Sequence, residues 1–375
     1  MTRILLVTDP LPDGVSVQSR IVSALLTHLT SHFEVSLFAP YIGAERRSLF
    51  EASSCTVCEP ASWAARGSVV ERVSRRTGVS ESMVWLESWI HESLFRSNSI
   101  AAERARAGQD RVLNLSSTVA VAADLWWCQG IPLDLTLRGM RETNTLARVM
   151  GQWTAPLIKA MDTRLLRRIR AMANSAMAIS PYVQEVFLAR GIPTDGLVYG
   201  FPDLATFQPS SGDRTRDYVL LYSGKETSRL DWHRLHEAGV RIVAFGGKPV
   251  AGGKLNDGLG AIERLGQVSD ADLRRLYTNA LFTMVPFSYE ALGFVPIESM
   301  ACGTPVLTYG RQGPAFTVVD GVTGWLCRSS REMEDKAIEL WAGRSTGIAP
   351  DICRRRAAEF EFDPHARRLI GRLLE

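Results

Sequence analysis

Residues 290–307, EALGFVPIESMACGTPVL, place two glutamates, Glu290 and Glu298, in an E-x7-E spacing, with one glycine and apolar residues between them. A small-residue, helix-like run follows. This is how a chain sets two carboxylates around a tight backbone turn that opens a helix. Gly293 can take positive φ or let a ligand approach the backbone closely. The amides of Phe294, Val295 and Ile297 fall where a helix begins and lacks acceptors, and Pro296 is shaped for a first helical turn. An anion such as a diphosphate would find unpaired N–H donors there, with the favourable end of the helix dipole behind them. The carboxylates, repelled by that anion, would accept hydrogen bonds from hydroxyls beside it. A diphosphate flanked by polyols, the shape of a nucleotide sugar, fits the combination. A glutamate near a helix start is also favourable with no ligand at all, so the reading depends on what surrounds it.

Working outward, residues 280–287 (ALFTMVPF) read as a buried strand, with Ser288 and Tyr289 leading from its end to the acids. In an open α/β sheet, ligands bind outside the carboxyl ends of the strands. The same alternation fills the rest of the second half. It runs through a strand at 218–223, a polar loop at 224–229, a short helix at 231–238, and a strand at 241–245 closed by Gly246 and Gly247. A strand at 261–266, a helix at 270–278 and, after the glutamates, a strand at 304–308 complete it. The first half opens in the same way, with a strand at 4–8, a helix at 17–29 whose apolar residues recur every fourth position, and a strand at 33–38. That is a βαβ start to a parallel sheet. Residues 45–130 carry a weaker pattern, with apolar density at 112–115 and 119–125, and 131–137 lead to Arg138 and Gly139. A strand at 172–180 precedes a helix in PYVQEVFLARGIP, which Gly191 is placed to stop. The proline- and glycine-rich segment at 200–217 reads as a linker.

The chain has 375 residues, too many for one ordinary core and suited to two domains. A hydrophobic fraction of 46% and a charged fraction of 22% are those of a soluble globular protein. Six cysteines lie scattered, which points to reduced thiols; Cys55 and Cys58 form one CxxC, with no second pair or nearby histidine to complete a zinc site. No apolar run approaches the length that crosses a bilayer, and the amino terminus begins directly on a strand. The net charge of +3 is mild, but Arg72, Arg75 and Arg76 cluster, as do Arg164, Arg167, Arg168 and Arg170. The second group sits on a helix with an apolar face at Ile158, Met161, Leu165, Ile169 and Met172. Two readings stay open: a surface helix covering a core, or contact with an anionic membrane surface. Trp85 and Trp89 serve either. No aromatic-basic platform accompanies the arginines, so nucleic acid is not an expected partner. His233 and His236 lack a third ligand and read as surface residues.

Residues 265–326, with E-x7-E complete at Glu290 and Glu298 and followed by CGTPV and DGVTGWL, resemble the donor-binding half of group 1 glycosyltransferases, the retaining GT4 family. The segments NSAMAISPYVQEVFLARGIP and PDLATFQP resemble that family's passage into its linker. The resemblance implies an α/β GT-B fold, two Rossmann-like doubly wound domains facing a central cleft. The expected division is an acceptor-binding domain at 1–205 and a nucleotide-sugar-binding domain at 206–357, with a helix at 358–375 packing back on the first. It further implies that Glu298 hydrogen-bonds the ribose, that Glu290 holds donor-sugar hydroxyls, and that amides at Gly293, Phe294 and Val295 cradle the distal phosphate.

In such enzymes a basic pair after the first strand of the second domain neutralises the diphosphate leaving group; Lys225 and Arg229 stand nearest here, out of the commoner order and spacing. Where the family carries a histidine after a first-domain strand, the matching place offers Arg138, which cannot act as a base but can bind a phosphate or the acceptor. Gly14, in PLPDGVSVQS, takes the place of a glycine-containing loop facing the donor phosphate, without the usual glycine doublet. No DxD motif accompanies the donor segment, so neither metal nor cofactor is expected. The expected reaction moves a hexose from a nucleotide-diphosphate sugar to a hydroxyl acceptor, be it a glycan, a lipid-linked acceptor or a small molecule. The expected place is the cytoplasm, with peripheral contact at the inner face of the cell membrane. A phosphorylase or sugar-phosphate synthase on the same fold, and a non-catalytic nucleotide-sugar-binding subunit, remain as alternatives.

Overall fold

The computed structural model of the chain describes residues 1–13, 17–60, 81–130, 133, 145–210, 214–223, 230–246, 262–287 and 290–375. They form two compact units, Met1–Gly200 with Pro364–Glu375, and Phe201–Asp363.

The first unit contains β1 (Arg3–Val7), α1 (Val17–Thr30), β2 (Glu34–Phe38), α2 (Ala44–Ala52), β3 (Thr56–Cys58), α3 (Glu81–Phe95), α4 (Ser97–Arg106), β4 (Arg111–Asn114), β5 (Ala123–Cys128), α5 (Thr145–Met172), β6 (Ala173–Ala178), α6 (Pro181–Ala189) and β7 (Gly196–Leu197). Its sheet runs β3-β2-β1-β4-β5-β6-β7, every pair parallel. Parallel strands are covered on both faces and therefore read as unbroken apolar runs; Ile4, Leu5, Leu6 and Val7 are all sealed. α1 turns Ile21, Val22, Leu25, Leu26 and Leu29 inward, one stripe at helical spacing. α6 begins at a serine cap, Ser180 Oγ accepting from the Val183 amide at 3.2 Å, and the chain leaves it through Gly191 at φ 69°. Such a cap contributes about 1 kcal/mol.

The second unit contains β8 (Val219–Tyr222), α7 (Trp232–Glu237), β9 (Ile242–Phe245), β10 (Ile262–Gly266), α8 (Asp270–Asn279), β11 (Thr283–Val285), α9 (Phe294–Ala301), β12 (Val306–Tyr309), α10 (Pro314–Thr317), β13 (Gly324–Cys327), α11 (Ser330–Gly343) and α12 (Pro350–Ala358). Its sheet runs β10-β9-β8-β11-β12-β13, again wholly parallel. The core gathers Val219, Leu221, Ile242, Phe282, Met284 and Leu307 from the strands with Met333, Ala337 and Trp341 from α11. Both sheets reverse their winding between neighbouring strands, at β1/β4 in the first unit and β8/β11 in the second. Those are the places where an open parallel sheet leaves a crevice at its carboxyl edge.

The last helix, α13 (Phe362–Leu374), starts at the end of the second unit and continues into the first. Within the first unit, Arg372 Nη2 reaches Ser175 Oγ at 3.2 Å, Arg111 Nη2 donates to the Leu374 carbonyl at 3.2 Å, and the rings of Tyr199 and His365 meet edge-on at 5.3 Å. The units change hands between Gly200 and Phe201, ahead of the boundary read at 205/206. Phe201 and Phe207 are buried parts of the second unit, not open linker. The terminal helix likewise starts at Phe362, a break at 359–361 separating it from α12.

Candidate functional site

β11 ends at Val285, and Glu290 begins the turn into α9. Gly293 caps that helix at φ 97°, ψ 70°, the left-handed region where a β-carbon is unfavourable. A β-carbon there would also press on Pro296, Pro314 and Thr317 at 3.3–3.5 Å. α9 therefore starts at Phe294. Its geometry leaves the Phe294 and Val295 amides without an intrahelical acceptor, whereas the Ile297 amide, also expected to be open, donates to the Gly293 carbonyl at 3.3 Å.

The turn is braced from the segment after β12. Glu290 N donates to Gln312 Oε1 at 3.1 Å, and Gly313 N donates to the Glu290 carbonyl at 2.9 Å. The Thr317 hydroxyl bonds the carbonyls of Leu292 and Gly313. Gly313 lies so close to the turn that a β-carbon on it would sit 2.5 Å from Leu292 N. Gln312, Gly313 and Thr317 are thus working parts of the turn that E-x7-E does not contain. Their only trace in the sequence is the Gly-Pro pair that starts α10.

Of the two acids, Glu290 is half-buried at the start of the turn, and Glu298 is 5% exposed on α9. Glu298 Oε2 accepts from the Tyr277 hydroxyl at 3.1 Å. Burial, and next the charge of Glu298, raise the Tyr277 pKa well above its ordinary value. The structure thus brings Glu290, Gly293, Phe294, Val295 and Glu298 together at the carboxyl end of β11, beside the β8/β11 reversal. Lys225 and Arg229, which follow β8 in sequence, lie outside the described residues, as do Arg138 and Gly14. Among the described residues no group of histidine, cysteine, aspartate or glutamate is arranged to hold a metal ion.

Residues 257–346 match the family model for glycosyl transferases group 1. That stretch of the second unit is similar to group 1 glycosyl transferases. The D-inositol 3-phosphate glycosyltransferase of Mycobacterium tuberculosis is 32% identical over 190 residues, a match that spans 47% of this chain and 36% of that protein. The chain thus spans about a third of the length of the curated relatives it matches. Among solved structures, sucrose-phosphate synthase from Thermosynechococcus elongatus superposes with a TM-score of 0.64 at 16% identity, covering 100% of this chain and 98% of that one. Anabaena HepE in complex with UDP and glucose gives 0.62 at 16% identity, covering 100% and 99%. WaaG, a glycosyltransferase involved in lipopolysaccharide biosynthesis, gives 0.58 at 14%, covering 98% and 100%. These likenesses concern the fold: two Rossmann-like units with the architecture of GT-B glycosyltransferases.

In the first unit, the residues at the β1/β4 reversal are arranged differently. Asp9, just past β1 and 4% exposed, takes hydrogen bonds from the hydroxyls of Ser116, Ser117 (2.7 Å) and Thr118 (2.6 Å). It also takes the amides of Ser117 and Thr118 and the Trp85 indole at 3.3 Å. Nothing in the sequence pattern marks this cluster. Asp13, expected in a phosphate-facing loop, accepts the Arg46 amide of α2 at 3.3 Å.

On the arginine helix, Arg167, Arg168 and Arg170 are held by partners within the first unit, while Arg164 is exposed. Arg168 pairs with the sealed Glu92 at 3.2 Å, Arg167 donates to the Arg190 carbonyl at the end of α6, and Arg170 reaches the carbonyls of Pro193 and Ala173 and the Asp195 carboxylate. Burial pushes the Glu92 carboxyl above its usual range against the opposing pull of Ser99 and Arg168. Trp85 and Trp89 are buried, the latter donating to Asp162 at 3.1 Å, so neither is a surface anchor. No helix among the described residues is long and apolar enough to cross a membrane. All six cysteines are free. Burial pushes the thiols of Cys55, Cys302, Cys327 and Cys353 up to about 12 and raises that of Cys58, which makes them poor nucleophiles. His233 is exposed and faces Glu237 at 3.3 Å.

Proposed function

We propose that this protein transfers a hexose from a nucleotide-diphosphate sugar to a hydroxyl acceptor with retention of anomeric configuration and without a metal ion. The observation that carries the proposal is the Gly293 turn. It opens α9 in the left-handed conformation with the Phe294 and Val295 amides lacking an intrahelical acceptor, between two glutamates at the carboxyl edge of a parallel sheet. Those amides and the helix dipole bind the distal phosphate. Glu298 accepts hydrogen bonds from the ribose and Glu290 from the sugar. The chain's similarity to a curated inositol-phosphate glycosyltransferase, and its fold likeness to a protein solved with UDP and glucose, support a nucleotide-sugar donor.

In the reaction the bond from the sugar's anomeric carbon to the diphosphate oxygen breaks, and a bond to the acceptor oxygen forms on the same face. The acceptor's proton passes to the departing phosphate, leaving a nucleoside diphosphate and a glycoside. Negative charge grows on the diphosphate as this happens. Lys225, Arg229 and the helix-start amides oppose it, a preorganised field of the kind that dominates many enzyme rate enhancements. Arg138 binds a phosphate or the acceptor, and Gly14 lets its loop face the donor. Because those groups carry the charge, EDTA is expected to leave turnover unchanged. The test is Glu290→Gln with product analysis: turnover falls by about 100-fold or more while the protein stays folded. Unchanged turnover overturns the assignment.

A further inference from the structure

Gln312 lies between β12 and α10 with φ at 59°, in the left-handed region that few residues other than glycine adopt. The chain is pinned on both sides of it. Gly310 N donates to the Cys327 carbonyl at 2.9 Å, Arg311 Nη2 to the Arg328 carbonyl at 2.8 Å, and Gly313 N to the Glu290 carbonyl at 2.9 Å. The carbonyl of Gln312 itself accepts the Ala315 amide at 3.2 Å. A strained conformation persists where its surroundings over-determine it, and such positions cluster at ligand-holding sites. Glycine would meet this backbone demand without strain, so what glutamine supplies is its side chain.

That side chain is half used. Its oxygen accepts the Glu290 amide at 3.1 Å, and because that partner is a donor, the oxygen and not the amino group must face it. The amino group carries two N–H donors and has no partner among the described residues. Other partly buried glutamines do the reverse. Gln18, Gln109 and Gln184 give the amino group to a protein hydroxyl, that of Thr8 at 2.9 Å, Ser36 at 3.2 Å and Thr194 at 3.1 Å. With the oxygen pinned, the planar amide leaves its amino group little freedom. It is a pre-organised donor at the Glu290 end of the turn, and such a group loses less on binding than a loose one.

We propose that Gln312 is a specificity-determining residue that donates one of these N–H groups to a hydroxyl of the donor sugar. This rests on the reading above, in which the diphosphate lies on the helix-start amides and the sugar at the Glu290 end of the turn. A hydroxyl oxygen accepts such a donor. A site that hydrogen-bonds one hydroxyl discriminates against sugars that lack it or turn it away.

The experiment is calorimetric titration of the full chain, as wild type, Gln312→Met and Gln312→Glu, with UDP, GDP, ADP and CDP, each free and as its glucose, galactose and mannose conjugates. For the base that binds, the readout is the gain from the sugar: the affinity of the tightest conjugate divided by that of the free diphosphate. Gln312→Met, similar in length but without an N–H, should cut that gain about fivefold, the usual contribution of one hydrogen bond. It should narrow the preference among the three sugars and leave the free diphosphate's affinity unchanged. Gln312→Glu keeps an oxygen for the Glu290 amide and has no N–H. Its added charge weakens both ligands, so the gain should fall by the same factor. A gain restored by glutamate makes Gln312 a brace for Glu290 and overturns the contact. A gain that Gln312→Met leaves intact, a loss shared equally by the free diphosphate, or a wild type that binds the diphosphate but gains nothing from any sugar overturns it too. A wild type that binds no nucleotide at all overturns instead the diphosphate reading beneath it.

Discussion

The two sheet-reversal points treat their polar groups in opposite ways. In the first unit Asp9 is sealed and saturated, its oxygens taken by Ser116, Ser117, Thr118 and Trp85. In the second, the turn at Gly293 is braced from outside by Gln312, Gly313 and Thr317, while the Phe294 and Val295 amides at the helix start have no intrahelical use. A polar cluster closed on itself holds a loop in place; one with unused donors at a helix dipole can hold an anion. The first arrangement is scaffold, and the second is the one we propose as a grip.

The largest effect that would break this contrast is on stability. Asp9→Ala strands several buried donors and is expected to cost about 3 kcal/mol or more, read by urea unfolding through the fluorescence of the buried Trp85, Trp126 and Trp127, while nucleoside diphosphate affinity is unchanged. Lost affinity at full folding would make Asp9 part of a binding site and end the contrast. Next in size, Gly293→Ala forces a β-carbon into the left-handed region at a cost of about 1–2 kcal/mol and disturbs the helix start. Donor affinity should fall about tenfold, with the first unit's unfolding unaffected.

The smallest effect sharpens the scaffold side through pH. The folded-state pKa of Glu92 is raised above the unfolded value, so the folded chain binds the proton more tightly. The stability tied to this proton is fully present below the unfolded pKa and is lost as pH rises through the folded one. The difference in unfolding free energy between wild type and Glu92→Gln should therefore move against the wild type as pH rises above the ordinary carboxylate value. A difference that is flat with pH contradicts the assignment. Arg168→Met, which removes the partner of Glu92 at 3.2 Å, should steepen it.

The turn and helix start of the proposed grip were legible in the sequence because their parts are local: a glycine, a proline and two acids within one turn and one helix. The Asp9 cluster was not, since its donors arrive from 76 to 109 residues away and no short-range pattern records such a meeting. The same limit explains the shifted strands. The sequence shows only apolar density at 119–125, and the ladder occupies Ala123–Cys128. Val119 and Val121 are buried without strand pairing, their segment held by side chains: Asn114 bonds the Val119 carbonyl, Asn98 the Thr118 carbonyl, and Ser99 the Ala120 amide. Apolarity reports burial, not hydrogen-bond partners, and so 280–287 likewise overstated β11 (Thr283–Val285). The arginines of α5 left two readings open, since their carbonyl and carboxylate partners lie on other elements and cannot be read from α5 alone.

The central claim is that the Gly293 turn holds the diphosphate of a nucleotide sugar, and a thermal-shift panel with UDP-, GDP-, ADP- and CDP-sugars tests it most directly. At 100 times its dissociation constant, one of them should stabilise the wild type by about 2.7 kcal/mol, and the same concentration should stabilise Gly293→Ala clearly less. No stabilisation by any of the four, or an undiminished shift in Gly293→Ala, contradicts the account.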